Sequence, residues 1–319
     1  MALKLRKDFD LTMPMAPGGQ LPGDSAGESE AFGVGAPQIE ARAVRHIGQW
    51  VAAVVILALL GMLAAAVYQN PFIDHRIIGK FLFAHLILKG VTVTIELTVI
   101  SMVMGIVIGI ALALCRETHN VVLQKFAGFY IWVFRGTPLL VQILLWGNFG
   151  LLFRHLDLGI PFTHLVAFSV STNAVVTVFV ASILALGLNE GAYMAEVVRG
   201  GILSVDSGQV DAATSLGMTH SQAMRRVVIP QATRVIIPPT GNELINLLKA
   251  SSLVSVIAGG DLLTVTEQIY SQNYRTIELL IVASLWYIAV TTVANIGQHY
   301  LEKRFKRSSS RMAPKMERV

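Results

Sequence analysis

Residues 190–230 read EGAYMAEVVRGGILSVDSGQVDAATSLGMTHSQAMRRVVIP. This is the longest run in the core of the chain without an apolar segment of bilayer length, and it lies between two segments that have that length. Two short helices are predicted inside it. Asp206 followed by Gln209, and Thr219 followed by Gln222, have the spacing of capping boxes, in which each end's side chain satisfies the other's orphan N–H. Gly217 falls where a left-handed stop needs a residue without a Cβ, and Pro230 is expected to close the second helix. Held at a membrane surface, such a piece is suited to being gripped by something in the water.

The flanking sequence makes this a polytopic membrane protein. Of 319 residues, 54% are hydrophobic and only 14% charged, where a soluble domain carries about 25% charge. The single cysteine, Cys115, excludes an internal disulfide and a cysteine-rich metal site. A formal charge of +5 does not point to nucleic acid here, because Lys and Arg cluster beside apolar spans, as topology determinants do. Residues 1–48 are polar, with Pro14, Pro17, Pro22 and Pro37 scattered among glycines. They carry too little apolar surface to offset the entropy of ordering and are expected to be a disordered cytoplasmic tail. Residues 50–68 are an uncharged apolar run with an aromatic at each end, long enough to cross roughly 30 Å of hydrocarbon. No small-x-small cleavage site follows, so the run is read as an extra N-terminal span over 49–70 rather than a signal peptide.

Five further spans are predicted, at 90–115, 129–153, 165–188, 235–259 and 279–297. With the N-terminus inside, the inner segments hold Lys4, Arg6, Lys7, Arg42, Arg45, Arg116, Lys125, Arg199, Arg225, Arg226 and Arg234, and the seven basic residues from Lys303 onward. The outer loops hold Arg76, Lys80, Lys89, Arg154 and Arg275. The positive-inside rule therefore puts both termini and the 190–230 loop in the cytoplasm. The basic tail at 301–319 reads as a stop signal lying against anionic inner-leaflet lipids. No internal repeat is visible, so the inverted-repeat layout of many secondary transporters has no support.

The chain has no Gly-x-x-x-x-Gly-Lys-Ser/Thr phosphate loop, no His-Glu-x-x-His pair, no serine nucleophile elbow and no cluster of metal ligands. An enzyme is not indicated. Polar residues inside the spans are informative instead, since a charge at the centre of a membrane helix costs on the order of 3 kcal/mol. Glu96 lies in the second span. In the fifth, Asn242, Asn246 and Lys249 recur at spacings of four and three, along one helix face, with Glu243 at its edge. That stripe either lines a watery path or acts as interhelical glue, with Lys249 snorkelling or pairing with a carboxylate. Arg135, entering the third span beside Gly136, Thr137 and Pro138, either pairs with Glu190 or Glu196 or snorkels to lipid phosphates. Gly105 and Gly109 leave room for close helix contact. In the loop, Ala212, Ala213 and Leu216 sit on a segment too short to bury them against itself. They mark either a docking surface or a surface-lying amphipathic hairpin.

Several of these residues resemble a known family. Asp211-Ala212-Ala213, then Gly217, then Val227-Val228-Ile229-Pro230 is similar to the EAA loop of importer-type ABC transporter permeases, with Asp211 where the family has Glu. The stretch Phe134-Arg135-Gly136-Thr137-Pro138-Leu139-Leu140-Val141-Gln142 resembles the polar amino-acid permeases of the histidine, glutamine, glutamate, arginine and opine group. So do Gly191-Ala192-Tyr193 with Glu196, Arg199, Gly200, Gly201 and Ile202, and Pro239, Asn242, Glu243, Lys249, Ser251, Ser252 and Leu253. Asp206 and Ser207 stand where that group often has Pro and Lys. The resemblance covers roughly 86–300 and implies an all-α polytopic membrane protein, a type I ABC importer permease-like bundle. It would have a five-span core, an EAA loop at 204–230 and one extra N-terminal span, in a bacterial cytoplasmic membrane.

That resemblance also implies partners and roles. Two permease chains, identical or paralogous, would pair with cytoplasmic ABC ATP-binding subunits that hold ATP and Mg, none being bound by this chain. An extracytoplasmic solute-binding protein would deliver a polar amino acid. Asp211, Ala212, Ala213, Leu216, Gly217 and Met218 would dock the ATPase. Arg135, Glu190 and Glu196 would brace an inner gate, and Glu96, Gln142, Asn242, Glu243, Asn246 and Lys249 are candidates for the substrate path. An ion- or proton-coupled secondary transporter is the alternative that intramembrane Glu96, Glu243 and Lys249 also fit. A membrane scaffold working through its basic tail is a third.

Overall fold

The computed structural model describes residues 47–159 and 166–309. The expected tail at 1–48, except its last two residues, and residues 310–319 of the basic tail lie outside them. In order, the elements are α1 (Ile47–Tyr68), α2 (His75–Leu82), α3 (His85–Glu117), α4 (Val121–Gly136), α5 (Leu139–Gly147) and α6 (Phe149–Leu152). Then come β1 (His155–Gly159), β2 (Val166–Ser171), α7 (Thr172–Val175), α8 (Val178–Leu203), α9 (Ser207–Ser215) and α10 (His220–Ala223). A π-helix (Met224–Val228) leads into α11 (Ile229–Ala250), a 3₁₀ stretch (Ser251–Ile257), α12 (Leu262–Asn273) and α13 (Thr276–Ser309). Taken by itself, α1 is a 22-residue uncharged helix, apolar all round in the manner of a membrane span.

The centre of the fold is the crossing of α3 with α8, and glycine makes it possible. A Cβ at Gly105 would stand 2.6 Å from Glu190 Cγ, and one at Gly109 would stand 2.5 Å from Met194 Cβ. In return, a Cβ at Gly187 would meet Met104 Sδ at 2.9 Å, and one at Gly191 would meet Ile108 Cγ2 at 2.6 Å. Each helix thus offers a Gly-x-x-x-Gly groove to the other's larger side chains, which lets dispersion act at short range where lipid removes any hydrophobic drive. Leu97, Met102, Ile143, Leu186, Met194, Leu247 and Val254 fill the core around this crossing. A second core joins Ile87, Val91, Leu262, Leu279, Val282 and Ala283. The apolar face of α2 packs on it through Ile77, Ile78 and Phe81, and Trp286 Nε1 donates to Leu82 O at 2.7 Å.

Among the described residues, three helices, His85–Glu117, Val178–Leu203 and Thr276–Phe305, are each long and apolar enough to cross a membrane, and two bent pairs bring the possible crossings to five. The predicted spans differ from this in three places. The third is broken: α4 and α5 meet at 99°, because Pro138 disfavours helical geometry at Thr137, which is extended at φ −109 and ψ 142. The fourth begins later and ends later than 165–188. Val166–Ser171 pairs antiparallel with His155–Gly159, and its alternation of Val, Phe and Val with Ala, Ser and Ser is the period-two signal of a strand. α8 then runs unbroken from Val178 through Glu190 to Leu203, so the first part of the 190–230 stretch is helix and not loop. Third, Pro230 does not close a helix. The chain widens to a π-turn over Met224–Val228, with Ile229 N–H donating to Met224 O. This relieves the clash a proline ring makes with the carbonyl four residues back. The polypeptide therefore stays helical from His220 to Ile257, and bends by 44° into α12 where Ala258 (φ 56) and Gly260 (φ 80) are left-handed.

Candidate functional site

The hairpin between α8 and α11 is built from local signals. Asp206 Oδ1 accepts from Gly208 N–H at 2.7 Å, but Gln209 contributes only its backbone N–H, bonded to Asp206 O at 3.0 Å. The expected capping box is thus a simple cap. At the far end of α9, Gly217 N–H donates to Thr214 O (2.9 Å) and Met218 N–H to Ala213 O (3.1 Å), with Gly217 at φ +79. These two bonds are the Schellman pattern, which needs a residue without a Cβ at the left-handed position. The box at Thr219 is complete: Thr219 N–H donates to Gln222 Oε1 at 2.9 Å, and Gln222 N–H to Thr219 Oγ1 at 3.4 Å.

This stop turns Leu216 outward, where it is 81% exposed. Asp211, Ala212 and Gly217 are exposed beside it and Met218 is half-buried. Ala213 is the correction, since it is buried at 4%. The helix is short, but the π-turn that follows packs back on it and covers that face.

At the end of α4, Arg135 does not pair with either predicted carboxylate. Its guanidinium lies 5.2 Å from the centroid of the Tyr193 ring, a cation–π contact. Glu196 is taken by Arg199, whose Nη2 and Nε stand 2.8 and 3.0 Å from Glu196 Oε2. Glu190 is held in the α3/α8 crossing, 5% exposed, with Oε1 buried and unpartnered.

The break between α4 and α5 is fastened by amides. Gln142 Nε2 donates to Phe134 O (3.0 Å) and Thr137 Oγ1 (2.8 Å), and Asn189 Nδ2 donates to the same Phe134 O (2.9 Å) and to Gln142 Oε1 (3.3 Å). Gln142 is buried and committed to this bend. Asn189 was missed by sequence reasoning because it falls one residue past the predicted span 165–188, and only the longer α8 places it inside a helix. Tyr130, whose OH donates to Leu188 O at 2.8 Å, gave no signal.

The other path candidates lie together on α11 but not in the packed interior. Asn242, Asn246 and Lys249 are exposed and Glu243 is half-buried. Asn242 Oδ1 accepts from Gln298 Nε2 of α13 at 2.7 Å, a partner one residue beyond the predicted sixth span. Glu96 is exposed in the middle of α3, away from that stripe in sequence and on another helix.

A family model described as the binding-protein-dependent transport system inner membrane component matches residues 105–307. The arginine transport system permease protein ArgU of Corynebacterium glutamicum is 42% identical over 274 residues, covering 86% of this chain and 85% of that protein. The arginine transport system permease protein ArtQ of Bacillus subtilis is 35% identical over 221 residues, with 69% and 92% covered. A crystal structure of an amino acid ABC transporter with histidines superposes with a TM-score of 0.59 at 38% identity, over 69% of this chain and 94% of that one.

Proposed function

This chain belongs to the family of binding-protein-dependent transport system inner membrane components, and we propose that it is the permease subunit of an ATP-driven importer of polar amino acids. Arginine is the first substrate to try, since ArgU and ArtQ both carry it in their names. The observation that carries the reading is the hairpin from α9 to the π-turn. It is a rigid, doubly capped piece strung between two long helices, with Leu216 projecting at 81% exposure. In this reading both termini and the hairpin are cytoplasmic, and a separate ATP-binding subunit holding ATP and Mg grips Leu216, Ala212 and Gly217, with Asp211 and Met218 at the rim. Ala213 supports the hairpin from inside.

The rest of the molecule follows from that grip. Because α8, the hairpin and α11 are helical almost throughout, a pull on the hairpin moves two spans as levers. A second permease chain, identical or paralogous, faces the exposed stripe of Asn242, Asn246 and Lys249, and the substrate passes between them with Glu96 and Glu243 as further polar contacts. A solute-binding protein delivers it from outside. Arg135 on Tyr193, and Glu196 with Arg199, hold the inner end of α8 as it moves. The α4/α5 bend, fixed by Gln142, seats Ile143 of α5 in the core beside α8.

The test is co-expression with the cognate ATP-binding subunit, followed by co-purification and by arginine uptake with the membrane potential held and ATP depleted. Leu216→Arg is expected to leave the permease in the membrane while the ATPase is lost and uptake stops. Uptake that persists with the ATPase still bound would sink the docking role, and uptake indifferent to ATP would sink the importer reading altogether.

A further inference from the structure

Arg116 closes α3 and Lys125 stands in the first turns of α4, and the two line one concavity of about 550 Å³ together with Gln124, Gly128, Phe129 and Trp132. The guanidinium of Arg116 lies close against Gly128. A Cβ at Gly128 would stand 3.4 Å from Arg116 Nη1, so the guanidinium from α3 reaches across onto the bare backbone of α4. Lys125, Gly128 and Trp132 follow at helical spacings of three and four, on one face. Phe129 and Trp132 are 61% and 71% exposed, with their rings 6.0 Å apart. No carboxylate lines the concavity, and among the described residues no ion pair forms to Arg116 or Lys125.

We propose that this concavity is a binding site for an anionic phospholipid, with Arg116 and Lys125 on the headgroup phosphate and an acyl chain lying along Phe129 and Trp132. The place fits: it is where an apolar span ends, the depth at which headgroup phosphates lie and at which Trp and basic residues gather. Two unpaired cations converging on one space favour a lipid of net negative charge, because a zwitterionic headgroup brings its own cation and gains less from the second. Basic hollows between membrane helices on the positive side of a protein are ready sites for such headgroups. The aromatic pair distinguishes the site from one for free phosphate, which would have no use for an exposed apolar rail below the cations.

The test uses the full chain, delipidated in detergent and offered an equimolar mixture of dioleoylphosphatidylglycerol and dioleoylphosphatidylcholine, with bound lipid counted by native mass spectrometry. The wild type should retain one phosphatidylglycerol in preference to phosphatidylcholine, and an excess of inorganic phosphate should not displace it. R116Q/K125Q should lower its retention about tenfold or more. Gly128→Leu, which fills the hollow with both charges in place, should do the same. R225Q/R226Q, which removes equal charge elsewhere, should leave retention unchanged. Circular dichroism and monodispersity confirm that each variant is folded. Equal retention of the two lipids by the wild type would reduce the site to an ordinary aromatic belt, and displacement by phosphate would make it a free-anion site. Wild-type retention in folded Gly128→Leu would show general attraction rather than a built hollow. Any of the three overturns the proposal.

Discussion

α8 and α11 carry similar polar residues through the membrane and use them in opposite ways. On α8, Asn189 and Glu190 are buried, Asn189 tied to the α4/α5 bend and Glu190 pressed against Gly105. On α11, Asn242, Asn246 and Lys249 stay exposed, with only Asn242 bonded across to α13. The difference lies in the neighbours. α8 is crossed by a helix with glycines where its bulk would clash, so its polar groups are sealed in and fix geometry. α11 has Pro238 and Pro239 inside it, and among the described residues its polar face meets α13 only at Asn242, leaving Asn246 and Lys249 exposed. An intramembrane amide is thus no guide to function until its exposure is known.

The comparison breaks first if the α3/α8 crossing is not rigid. Gly109→Leu would force a side chain into a space where even a Cβ meets Met194 Cβ at 2.5 Å and Ala195 N at 2.9 Å. Backbone cannot yield as a side-chain tip can, so a loss of about 3 kcal/mol or more, or no folded protein, is expected. Thermal unfolding in detergent reads it, and a melting point close to wild type would mean the crossing is loose. Gln142→Leu comes next. It removes the donor to Thr137 Oγ1, one of the two donors to Phe134 O and the Oε1 that accepts from Asn189, while the bend stays buried, which should cost about 1–3 kcal/mol. If Gln142→Leu lowered transport with no change in melting, Gln142 would belong with the path and not with the frame.

Much of this was legible in the sequence, and what was not has physical reasons. The hairpin's stop at Gly217 and start at Thr219 are local, governed by a few backbone groups, and the residue types alone placed them. Pro230 misled because a proline ends a helix only if the turn before it cannot widen, and the π-turn at Met224–Val228 depends on packing against α9 that no short window contains. Charge alone offers Arg135 a carboxylate or a lipid phosphate, whereas Glu196 has a guanidinium three residues on and the Tyr193 ring lies within reach of Arg135. Ala213 and Leu216 look alike in a sequence, and only the return of the chain decides which is covered. The second glycine pair, Gly187 and Gly191, was in plain view, but its meaning appears only when α3 is laid against it.

Smaller effects sharpen the contrast at its edge. Tyr193→Leu removes the ring beneath Arg135, and an exposed cation–π contact contributes about 0.5–1 kcal/mol, so melting should fall slightly and less than for Gln142→Leu. An equal fall would make Arg135 part of the buried brace.

The smallest stability change should come from Asn246→Leu, and it is the most telling. Asn246 is exposed on α11 and no hydrogen bond to its side chain forms among the described residues. A surface substitution of that kind stays within about 0.5 kcal/mol, and leucine faces lipid or a partner helix at no cost. If the stripe is glue between this chain and a second permease, the change should weaken co-purification of the two chains and leave the uptake of assembled transporter intact. If it lines the path, assembly should hold and uptake should fall, because an apolar side chain takes a hydrogen-bonding group away from a polar solute that has shed its water. Asn242→Leu would not separate the two as cleanly, since it also releases Gln298 Nε2. Measuring both variants for assembly and for uptake therefore decides whether the open face of α11 is a seam or a passage, and only the second outcome gives the contrast with α8 a functional meaning.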